Sequence, residues 1–81
     1  MAVYIEIRKF SETASTALFD FFPDGDEQKA GRVELDTTTG TVRELIQSPV
    51  DPRAFFFERV AVKLKQHHVQ AEYPQETCWA S

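Results

Sequence analysis

Apolar and polar residues alternate along much of the first half of the chain. Val3, Ile5 and Ile7 alternate with Tyr4, Glu6 and Arg8, the period of two that buries one face of a sheet. This predicts a first strand over residues 2–10. After a polar stretch at Ser11 to Thr13, Ala17, Phe19 and Phe21 share one face and Leu18, Asp20 and Phe22 the other, giving a second strand over 14–22. Pro23-Asp24-Gly25 ends it, because proline removes a ladder donor and glycine accepts positive φ. Val33 and Leu35 alternate with Arg32, Glu34 and Asp36 in a third strand over 31–36. Asp36-Thr37-Thr38-Thr39-Gly40 then supplies hairpin chemistry. A fourth strand is expected over 41–47, with Glu44 breaking the alternation between Val42 and Ile46 and leaving its facing open.

Ser48-Pro49-Val50-Asp51-Pro52 marks a change of element, with Asp51 suited to cap a helix and Pro52 to occupy its first position. The following residues lack glycine and proline, which predicts the one long helix over 52–70 and an extended tail over 71–81. The expected architecture is a single α+β domain, residues 1–81. It comprises a four-stranded antiparallel meander in sequence order, one helix across one face and a short tail.

At 100° per residue, Phe57, Val60, Ala61 and Leu64 form one stripe, flanked by Phe56 and His68 and extended by Ala71. That stripe is expected on the sheet. A second row, Phe55, Val62 and Val69, lies on nearly the opposite side, with Arg59, Lys63 and Gln66 along one flank and Glu58 and Lys65 along the other. A helix capping one sheet face needs only one apolar side. Either the segment from Tyr73 to Trp79 folds back over this row and buries the Trp79 indole there, or the row meets another chain. Phe55, Val62, Val69 and Trp79 are therefore the candidate interface residues.

Size sharpens the excess. The chain has 81 residues, of which 42% are hydrophobic, including seven phenylalanines and one tryptophan. A chain of this length can bury a little over ~60% of its surface, which is one modest core. No apolar run approaches the ~18 residues of a membrane span, so no membrane association is expected. The net charge of −4 gives little attraction for phosphate. Residues 1–40 carry eight acidic and four basic side chains, whereas 41–81 carry five of each. The single thiol, Cys78, cannot form an internal disulfide, so a cytoplasmic location is expected. The N-terminus has no basic region followed by an apolar stretch and reads as structure rather than a signal peptide.

Candidate chemistry is sparse. His67, His68 and Cys78 are the nearest approach to a metal set, yet adjacent helical histidines point about 100° apart. Asp24-Gly25-Asp26-Glu27 superficially resembles a calcium loop but places Lys29 where an EF-hand requires glycine. Cys78 has no basic neighbour to activate it, and Gly25, Gly31 and Gly40 are isolated turn residues. No catalytic residue, metal, cofactor or small-molecule ligand is expected. Tyr4, Phe10 and Phe22 on the sheet, with Arg53, Arg59, Lys63 and Lys65 on the helix, leave sheet-based binding of single-stranded nucleic acid as an alternative. Glu6, Asp20, Glu34 and Asp36 oppose it. The function expected from the sequence is a small protein-binding or self-associating module.

Overall fold

The computed structural model describes residues 2–81. The alternating segments form β1 (Tyr4–Glu12), β2 (Thr16–Pro23), β3 (Gly31–Asp36) and β4 (Val42–Ile46); α1 (Phe55–Val69) and β5 (Glu76–Ala80) follow. All neighbours are antiparallel and the sheet order is β4-β3-β2-β1-β5. The α+β class and the meander of the first four strands agree with the sequence pattern. Two expectations need correction. The sheet has five strands, because residues 76–80 pair with β1 through Ile5↔Trp79 and Ile7↔Thr77 rather than forming a loose tail. The helix begins three residues later than expected, with Ala54 in the left-handed region at φ 58° as its N-terminal boundary.

The topology follows from the edges. A meander leaves β4 at one edge and β1 at the other, and α1, which touches β4, β1 and β5, carries the chain across the sheet before it returns as β5 beside β1. The alternating residues of β1 to β3 place Ile5, Ile7, Ala17, Phe19, Phe21, Val33 and Leu35 on the face under α1. Val60 and Leu64 come down from the helix to complete the fully buried core. Phe56, Phe57, Tyr73 and Trp79 pack around it. The resulting surface is 4857 Å², close to the roughly 5,000 Å² expected of a folded chain of this mass.

Two irregularities decide which side chains turn outward. In β1, the register shifts between Lys9 and Ser11, leaving Phe10 as an extra residue opposite β2. In β4, Val33 pairs with Glu44 while Arg32 pairs with Ile46, so Leu45 is the extra residue. That bulge settles the facing of β4: Val42 and Glu44 lie on the helix side and Ile46 on the outer face. One Glu44 carboxylate oxygen is buried without a hydrogen-bond partner. Burial, aided by the charge of Asp51, pushes its pKa above the ordinary carboxylate value.

Candidate interaction surface

The position of α1 is set at its start by Asp51, which is 1% exposed. Its two carboxylate oxygens accept the backbone N–H groups of Phe56 at 3.0 Å and Phe57 at 2.9 Å. Asp51 thus caps the helix as the sequence suggests, but from outside the first turn, because the left-handed Ala54 folds residues 52–54 into a tight loop. With the cap fixed and Val60 and Leu64 buried, the orientation of the remaining helical residues is determined.

The Phe55, Val62, Val69 row faces away from the sheet. These side chains are 42%, 45% and 84% exposed. Phe55 is held in place, its ring edge-on to Phe56 at 5.1 Å between centroids and covered by the Arg59 guanidinium at 3.6 Å. Arg59 also donates to the Phe55 carbonyl at 2.8 Å. Glu58 and Lys65, exposed along the other flank, form no ion pair among the described residues.

Trp79 does not join the row. It lies on β5 opposite Ile5, on the helix side of the sheet, and packs against the core with its indole Nε1 buried and lacking a protein acceptor. The expectation that the C-terminal segment covers the row is therefore corrected: backbone pairing with the free edge of β1 takes that segment elsewhere. The sequence carried a signal for this strand in Thr77-Cys78-Trp79, three residues compatible with a strand, but five residues after a proline are too few to show a period.

The outer sheet face carries a network that sequence reading had not assembled. Asp20 holds Arg32 by two contacts, at 2.6 and 3.3 Å, and Arg32 lies 4.0 Å over Phe10. Arg8 binds Glu6 at 2.9 Å and Glu27 at 3.3 Å and covers Phe22. Arg43 binds Glu34 at 3.0 Å. The cross-strand pairs Arg8↔Asp20 and Asp20↔Arg32 were its available signal. Tyr4 and Phe10 are exposed as expected, but Phe22 is buried. A phosphate approaching this face would have to displace carboxylates already bound to the arginines.

The histidines and the thiol serve different places. His67 Nε2 lies 3.0 Å from Thr77 Oγ1, and His68 Nδ1 lies 2.9 Å from the Tyr73 hydroxyl. Cys78 pairs with Glu6, on the opposite face of the sheet. Burial, with Lys63 nearby, lowers the pKa of His67 despite the opposing charge of Glu72. Beside His68, an open groove of about 380 Å³ lies between the β3–β4 turn and the end of α1, lined by Thr39, Gly40, Thr41, Val42, Lys65 and Val69. Among the described residues, no three His, Cys, Asp or Glu side chains converge as a metal site, and no helix is long and apolar enough to cross a membrane. Asp24 and Gly25 occupy a tight turn, with the Gly25 N–H donating to the Phe22 carbonyl at 2.9 Å. Compared with known proteins, the chain matches no family model, no curated protein and no solved structure.

Proposed function

We propose that this chain is a protein-binding module whose contact surface is the outward row of α1. One observation carries the reading. Phe55, Val62 and Val69 remain exposed although the core is filled and the C-terminal segment is committed to β5. An apolar row rimmed by charge is the composition of a protein contact, and its spacing of seven aligns it along one side of the helix. Phe55 is pre-ordered by Phe56 and Arg59, which lowers the entropy lost on binding. The reducing cytoplasm is the compartment we propose for it, since Cys78 is a free thiol.

The test is photo-cross-linking in cells from a diazirine amino acid placed at Val62 or, on the outer sheet face, at Tyr4. Protein adducts from position 62 and few from position 4 are expected. Protein adducts only from position 4 would overturn the reading, and nucleic-acid adducts there would transfer the function to the sheet.

A further inference from the structure

We infer that the occupant of the α1 row is a second copy of this chain, packed antiparallel about Val62. The inference rests on the reading of that row as a contact surface and adds the partner and its direction. Its warrant is the distribution of charge along the row. Glu58 and Lys65 lie on the same flank, seven residues apart, and neither is engaged in an ion pair among the described residues. At 1.5 Å rise per residue they stand about 10 Å apart along the axis, nearly symmetric about Val62.

A two-fold axis through Val62 reverses the second helix and keeps the same flank on the same side of the seam. Glu58 of each copy then lies beside Lys65 of the other, giving two opposite-charge contacts. Phe55 of one copy meets Val69 of the other, and Val62 meets itself. On the second flank, Arg59 faces Gln66, and the two copies of Lys63, set further round the helix, are the one like-charge approach. Parallel packing about a two-fold instead joins opposite flanks, setting Glu58 beside Arg59, which is already engaged with Phe55, and Lys65 near Lys63. The unpaired Glu58 and Lys65 therefore meet each other only in the antiparallel arrangement, and they do so twice, as an isologous contact requires.

The row is about 21 Å long, so one helix face offers an area at the low end of specific interfaces. The dimer is accordingly weak, with a dissociation constant on the order of 10 to several hundred micromolar.

Sedimentation equilibrium on the purified chain, with four variants, tests this. The wild type is expected to dimerise, and Val62→Glu to abolish dimerisation while leaving the circular dichroism spectrum and thermal midpoint nearly unchanged. Glu58→Lys and Lys65→Glu should each weaken the dimer by roughly 5- to 10-fold at low salt, since each places like charges together twice. The double variant Glu58→Lys with Lys65→Glu should return to within about 2-fold of wild type, because the pairs are restored with reversed sign. A wild-type chain that stays monomeric near 0.5 mM (roughly the upper end of the expected range) would overturn the inference. A dimer indifferent to Val62→Glu, or to both single charge reversals, would do so too. A monomer that still cross-links to another protein from position 62 would remove the second copy and leave the binding surface standing.

Discussion

Arg59 and Phe55 form one unit on the surface of α1: the guanidinium lies 3.6 Å over the ring and donates to the backbone carbonyl of the same residue at 2.8 Å. The pair fixes the first apolar residue of the row while keeping it exposed. Arg59→Ala should therefore change the stability of the monomer by no more than about 0.5 kcal/mol. The dimer should loosen by about 2- to 5-fold, the weight of an exposed cation–π contact. Urea unfolding and sedimentation equilibrium on the same variant separate the two effects.

The start of the helix depends on a carboxylate three residues outside its boundary. Asp51→Ala removes the acceptor of both the Phe56 and Phe57 N–H groups at a buried site. A cost of about 2 kcal/mol or more is expected, and Asp51→Asn should recover part of it by retaining one oxygen acceptor. Ala54→Gly should act in the opposite direction, gaining roughly 0.5 to 1 kcal/mol because the left-handed φ of 58° is strained for alanine. Urea midpoints give both signs.

Glu44 is an acidic residue on the core side of β4 with one oxygen unpartnered. Its folded-state pKa lies above the ordinary value of 4.5, chiefly through burial and then through Asp51. The folded chain therefore binds this proton more readily than the unfolded chain does. The ionised carboxylate costs stability at neutral pH, and the cost is relieved as pH falls through the folded pKa towards 4.5. Glu44→Gln should stabilise the protein at pH 7 by up to about 1 kcal/mol, with the advantage shrinking in acid. Unfolding midpoints of both proteins against pH provide the comparison.

His67 carries the opposite sign. Its pKa is lowered from 6.5, so the folded state binds this proton less readily than the unfolded state. The neutral imidazole's contribution is present above pH 6.5 and declines as pH falls through 6.5 towards the folded value. Because His67 faces Thr77 on β5, acid should weaken the strand that carries Trp79. Trp79 fluorescence during thermal unfolding should show a lower midpoint at pH 5.5 than at pH 7.5 (values about one unit either side of the reference pKa), and His67→Gln should reduce that difference.

Much of the sheet was legible because its core-facing positions alternate without interruption: Ile5 and Ile7, Ala17 to Phe21, and Val33 with Leu35 need no tertiary information to declare a face. Glu44 was not legible in the same way. Glu44 shares the helix-side face of Val42 by ordinary alternation, and only the register shift at Leu45 shows that Ile46, two residues on, turns to the outer face. β5 was missed for a different reason. The stability of a short edge strand comes from the free backbone groups of β1, a partner some 70 residues away, and not from its own pattern. The Phe55, Val62, Val69 row was visible in the helical periodicity, whereas its freedom from the tail depended on where that fifth strand pairs.

The most direct test of self-association through α1 is a dilution series of amide spectra on the ¹⁵N-labelled chain, from about 1 mM to about 20 µM, a range bracketing the expected affinity. Concentration-dependent shifts are predicted at Phe55, Glu58, Val62, Lys65 and Val69, with the amides of Tyr4, Arg8, Asp20 and Arg32 on the outer sheet face unchanged. Shifts confined to the sheet face, or spectra independent of concentration throughout, would contradict it.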